Sequence, residues 1–243
     1  MSKNFTLIKK ERISFQFKSI FMNKQRLFGF LALITMSATV ASAQTYYQVG
    51  VTTGVNYSSL RSDLFTTSSG RSGLVAGFSV ALGINDRFEL NPEIVFTQKG
   101  ASAKAVSFRP EEAIEVFSRD YHYNTFEAGM IAGYQPVLDV PVRLQAGGFF
   151  GTYFNNNDSR DENLWVGNYE NLNYAMPADK LNPAFAGLDF GPVVGLSAGS
   201  GQLRLNIRYY LGVKNLYDNL DYVAEGHRIS TSAFRVSLTG YLK

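Results

Sequence analysis

After Gln44, eight segments of the chain alternate apolar and non-apolar residues with a period of two. In Tyr46–Tyr57, Tyr47, Val49, Val51, Val55 and Tyr57 stand on one parity, against Gln48, Gly50, Thr52, Gly54 and Asn56 on the other. Seven further segments repeat the pattern: Gly73–Ile84, Arg87–Gly100, Tyr123–Tyr134, Val142–Phe154, Phe185–Ala198, Gln202–Val213 and Ala233–Leu242. Successive side chains of a strand point to opposite faces, so each segment reads as a β-strand with one apolar face.

The connections alternate as well. Asn85-Asp86, 135–140 and Gly199-Ser200-Gly201 are short, whereas 58–72, 100–122, 155–184 and 214–232 are long and polar. An even number of strands, with short turns at one end and long loops at the other, predicts an eight-stranded antiparallel up-and-down transmembrane β-barrel in an outer membrane. Segments of roughly 10–14 residues are long enough for tilted strands to cross a bilayer. The structural alternative is a soluble, lipocalin-like barrel, which would hold its apolar side chains inside.

Composition narrows this picture. The 243-residue chain has no cysteine, which excludes disulfides and cysteine-ligated metal. The formal charge of +3 arises from residues 1–43, which hold seven basic residues and one acid; 16 basic and 19 acidic residues remain after them, a net of −3. The basic balance therefore gives no argument for nucleic acid as a partner. Residues 1–43 read as a leader with a secretory signal: Lys24 and Arg26, then the apolar run Leu27–Val40, then Ala41-Ser42-Ala43 before Gln44. The apolar run is short for a membrane-spanning helix. Met22 suits a translation start, and the barrel domain is expected over 44–243.

The non-apolar parity carries charge. Glu89, Glu93, Glu127 and Asp189 share it with Arg143, Arg204, Arg208 and Arg235. The interior of an eight-stranded barrel is just wide enough for side chains to fill. These eight are expected to pair there as a lumen plug, because each charge would be costly to bury alone. A selective pore is the alternative. Pro92 and Pro192 sit inside two of the strands. Proline has no N–H for the ladder, so pairing is expected to be interrupted at both.

ELNPEIVFTQKG (Glu89–Gly100) resembles the third-strand signature of the PorT-like outer-membrane β-barrel family of Bacteroidota. The run LDFGPVVGLSAGSGQLRLNIRYYLGVKNLYDN resembles that family's sixth and seventh strands, with Gly191, Gly195, Arg208, Tyr209 and Gly212 on matching positions, and FRVSLTGYLK resembles its last strand. The chain departs from the family at Glu127-Ala128-Gly129 and at Tyr241-Leu242-Lys243. The resemblance implies an integral outer-membrane protein of a Gram-negative cell, with no shared chemistry.

Other motifs are weaker. Gly195-Leu196-Ser197-Ala198-Gly199 fits the spacing of a nucleophile elbow, but that device needs a strand, a turn and then a helix, and here a second strand follows. A lipid-modifying enzyme would need a rim histidine with an acid and a serine: His122 with Asp120 and Ser118, or His227 with Glu225 and Ser230. Asp158, Asp161 and Glu162 lack EF-hand spacing, so no metal and no cofactor is expected. Trp165, Tyr169 and Tyr174 in the longest loop suit a protein or glycan partner, or the barrel rim. In 109–120, Pro110, Glu111 and Glu112 suit either a helix start or a strand arm above the membrane. A non-catalytic, monomeric barrel among outer-membrane lipids, binding partners through its long loops, is the reading these residues favour.

Overall fold

The computed structural model describes residues 46–62, 67–107, 115–154, 165–168, 171–177, 187–215 and 229–242. The expected leader, the acids Asp158, Asp161 and Glu162, and His227 with Glu225 lie outside these residues. Ten strands follow in order: β1 (Tyr46–Ser62), β2 (Thr67–Gly83), β3 (Phe88–Ser107), β4 (Glu115–Tyr134), β5 (Val142–Phe154), β6 (Trp165–Asn168), β7 (Asn171–Pro177), β8 (Leu188–Ala198), β9 (Leu203–Leu211) and β10 (Ile229–Tyr241). Eight of them close an antiparallel barrel in the order β1-β10-β9-β8-β5-β4-β3-β2, while β6 and β7 form a separate hairpin. Closure leaves no open sheet edge around the ring, the condition for strands to cross a bilayer.

The apolar parity faces outward. Leu74 is 61% exposed, Phe78 65% and Ile94 65%, and Val55, Val194, Leu203 and Phe234 stand on the same face. Leaving such a side chain in water costs roughly 1.5–3 kcal/mol relative to burial. A belt of them is stable only against acyl chains, so the lipocalin-like alternative is excluded. Aromatic residues cluster on this face at both ends: Phe96, Phe126 and Phe154 touch one another toward the loops, and Phe88 meets Tyr134 toward the turns.

Three features refine or extend the sequence expectation. First, β3 and β4 run on together to Ser107 and Glu115, well above the belt, so 115–120 takes the strand-arm alternative, while Pro110, Glu111 and Glu112 lie outside the described residues. Second, the longest loop contains the β6–β7 hairpin, in which Trp165 pairs with Pro177. Third, each proline interrupts pairing on one flank only. Pro92 pairs continuously with Met130 on β4, while on the β2 side the ladder skips from Ser79–Glu93 to Leu82–Leu90. Pro192 pairs with Gly148 on β5, whereas β8–β9 pairing stops at Val193–Tyr210 and resumes where the Val213 N–H donates to the Phe190 carbonyl, 2.9 Å away. In an antiparallel strand, alternate residues address the same neighbour. Phe190 faces β9 and so does Pro192, which places the missing N–H on that flank. The one register shift on β2 lies elsewhere, between Gly70 and Val75.

Candidate functional site

The other parity fills the lumen, and glycine makes the room. A Cβ added at Gly133 would lie 2.9 Å from Cγ of Glu89, and one at Gly129 would lie 2.9 Å from Cγ of Glu93. These are cross-strand partners: Glu89 pairs with Gly133 and Glu93 with Gly129. Glu127 lies over Gly151 and Arg208 over Gly195 in the same way. Each long charged side chain thus lies across a bare stretch of the next strand, which lets the chain thread the lumen instead of colliding with its wall.

The charges pair in tiers. Toward the turns, Glu89 accepts from Arg204 at 2.6 Å, from Asn91 at 3.0 Å and from the Tyr46 hydroxyl at 3.0 Å, and Arg143 Nε lies 3.2 Å away. At mid-height Arg208 reaches Glu93 at 2.6 Å, and the Tyr210 hydroxyl donates to the same carboxylate at 3.1 Å. Nε of Arg208 donates to Gln145 at 2.7 Å. Above them Arg235 reaches Glu127 at 2.5 Å, and Lys99 forms a second ion pair with Glu127. The side chains of Glu93, Glu127, Lys99, Arg208 and Arg235 are only 2–4% exposed. Paired and hydrogen-bonded, such charges are tolerated; alone, each would destabilise the barrel strongly.

Aromatic rings complete the packing. Arg235 lies 4.0 Å above the ring of Tyr210, and Lys99 Nζ lies 5.0 Å from that of Phe149. Ile131, Phe149, Val193, Tyr210 and Ala233 form a buried apolar cluster beside the charges. Phe149 shares the parity of Arg143, Gln145 and Gly147, and this spacing of two is the signal that would have placed it inside.

Seven of the eight expected lumen charges meet an opposite charge: Glu89, Glu93, Glu127, Arg143, Arg204, Arg208 and Arg235. Asp189 does not. It sits at the loop end of the lumen, where Tyr153 and Thr231 donate to its Oδ2 at 2.7 and 2.6 Å. Lys99 takes the place in the network that the expectation left out, although it shares the parity of Glu89 and Glu93.

The rim candidates lie elsewhere. His122 is exposed, on the parity of Phe126 that faces away from the lumen. Asp120 is held by Arg71 at 2.6 Å; the Ser102 hydroxyl and that guanidinium keep its carboxyl below the usual carboxylate range. Ser197 is buried in the lumen, and Gly199 (φ 134°) and Gly201 (φ 64°) turn the chain directly from β8 into β9 with no helix between. The elbow spacing is therefore a hairpin. Among the described residues no cluster of His, Asp and Glu has the make-up of a metal site.

Residues 42–218 match the outer membrane protein beta-barrel domain family. No curated protein matches the chain. Among solved structures, it is similar to Ail of Yersinia pestis (10% identity over 80% of this chain and 98% of that one, TM-score 0.42). It is also similar to Neisserial surface protein A (12% identity, 79% and 96%, TM-score 0.41) and to OprG of Pseudomonas aeruginosa (9% identity, 81% and 94%, TM-score 0.38).

Proposed function

The chain belongs to the outer membrane protein beta-barrel domain family, and from that premise we propose that this outer-membrane protein is a sealed, non-catalytic barrel that works by binding partners at its loop end. The observation that carries the reading is the middle of the lumen. There Glu93, Arg208, Arg235, Glu127 and Lys99 meet in contact, each nearly inaccessible to water. An ion crossing this tier would have to break several buried pairs at once. Loop-end partner binding rests on the β3–β4 arm, which carries paired backbone beyond the lipid-facing belt. The β6–β7 hairpin adds a second ordered element on the same side of the chain's connections.

Within the family, the Glu89–Gly100 stretch supports placing the chain in the PorT-like branch. An enzymatic reading built on His122 is disfavoured, because the acid expected to serve it, Asp120, is engaged by Arg71. The test is conductance of the folded protein in planar bilayers. No stepwise current is expected, and opening steps that change when Glu127 and Arg235 are both neutralised would overturn the sealed-lumen reading. A photo-crosslinker at Asp120 should capture a partner in intact outer membranes, while one at lipid-facing Ile94 should not. Equal capture at both sites would count against loop-end recognition.

A further inference from the structure

The turn end of the lumen holds a different kind of feature. A cavity of about 480 Å³ opens there, lined among others by Tyr46, Gln135, Asp139, Arg143, Ser200 and Arg204. Its walls are braced. The side-chain amide of Gln135 donates to the carbonyls of Val137, Leu138 and Val140, which fixes the β4–β5 turn. The Gly199–Gly201 turn forms the facing wall.

The charge balance is uneven. Two guanidinium groups, Arg143 and Arg204, share one carboxylate, Glu89. Glu89 lies behind them, 1% exposed, while the Arg143 side chain is 16% exposed and forms part of the cavity lining. A guanidinium offers several N–H donors in one plane, and Arg143 meets Glu89 through its Nε, at 3.2 Å. The acid in the lining, Asp139, is exposed on the turn and forms no ion pair with either arginine among the described residues. The floor therefore carries one positive charge more than it has acid to meet, at the one arginine of the network that solvent reaches best.

We propose that this cavity binds a monocarboxylate, held by Arg143 with Arg204 behind it. A single negative charge matches the excess, and a carboxylate matches the planar fork of arginine. The volume lies in the range of ordinary small-ligand pockets. The carboxylate has two possible sources from the short-turn side: a free small organic acid, or the C-terminus of an extended peptide. The site lies at the opposite end from the strand arms and does not rest on the partner-binding reading.

The test is calorimetry on the full folded chain in lipid nanodiscs, with benzoate as probe and benzamide as its neutral counterpart. Benzoate is expected to bind and benzamide not. Arg143→Gln should weaken benzoate at least tenfold, and Arg143→Lys should recover part of the loss. Ser200→Trp, which leaves every lumen charge in place, should block binding by filling the cavity, so the result does not hang on one variant's folding. Equal binding of benzoate and benzamide, no binding of either, or unchanged affinity in Arg143→Gln would overturn the proposal. An acetylated dipeptide with a free carboxyl, compared with its amide, separates the sources: tighter binding than benzoate identifies a peptide end, and weaker binding a small acid.

Discussion

Arg208 on β9 meets Glu93 on β3 at 2.6 Å across a full diameter of the barrel. In the closed order β1-β10-β9-β8-β5-β4-β3-β2, these strands stand four places apart in either direction. Arg204–Glu89 spans the same two strands, and Arg235–Glu127 joins β10 to β4, also opposite walls. The plug is thus a set of cross-braces, and its strength is open to measurement.

Arg208→Met should destabilise the barrel by roughly 3–5 kcal/mol, because it leaves Glu93 buried with its principal cation gone. The double variant Glu93→Gln with Arg208→Met should cost clearly less than the sum of the two single changes. Urea titration of the protein in vesicles, followed by the gel mobility of the folded barrel, reads both. Strictly additive losses would mean that the two residues do not interact.

Gly129→Ala should cost about 1–3 kcal/mol, since its Cβ would lie 2.9 Å from a Glu93 side chain that Arg208 and Tyr210 hold in place. Gly240→Ala is the control, as a Cβ there meets nothing within 4 Å. Similar losses at both glycines would count against the idea that glycine clears space for the charges.

Pro92→Val supplies an N–H toward β2. The added ladder bond should contribute roughly 0.5–1.5 kcal/mol, and the looser unfolded chain should offset about 0.4–1 kcal/mol of it. Net stability should therefore move little, while hydrogen exchange should show a protected amide at position 92. A rapidly exchanging amide there would place the gap on the other flank.

Asp120 has its carboxyl held below its ordinary value of 3.8, first by the Ser102 hydroxyl and then by Arg71. A depressed folded value means stability that is present above 3.8 and lost as pH falls through the folded value. The pair is exposed, so Arg71→Gln should cost less than about 1 kcal/mol at neutral pH. The difference from the parent should vanish in strong acid. A difference that persists there would point to packing by the Arg71 stem.

Much of the barrel was legible because each strand has one environment per face. Lipid surrounds the ring, so Val55, Phe78, Ile94 and Phe234 all announce the outside by parity alone. Lumen membership of Glu89, Glu93 and Arg208 followed from the same parity. Partner choice did not, because it depends on closure: which arginine stands opposite which acid is set by strand number and register, not by local sequence. Asp189 illustrates this. It lies near the loop end, where its neighbours on β5 and β10 bring hydroxyls and not guanidiniums. Lys99 was obscured by its place in Gln98-Lys99-Gly100, which reads as the approach to a loop, although the ladder continues past it to Ser107. The strand arm stayed level with a helix start for a related reason: above the belt no lipid enforces the alternation, and backbone pairing persists without it.

The two proline gaps divide the ring. They fall at the β2/β3 and β8/β9 seams, which separate β1, β2, β9 and β10 from β3, β4, β5 and β8. One half-shell carries Arg204, Arg208 and Arg235; the other carries Glu89, Glu93, Glu127 and Asp189, with Lys99 and Arg143 among them. The inner faces are therefore of opposite predominant sign, and the two halves are joined across the lumen by side-chain attraction. The acidic half is one unbroken stretch of chain, while the basic half joins the first two strands to the last two. Docking of the halves would complete the cylinder and bring Arg204, Arg208 and Arg235 onto their carboxylates in a single act.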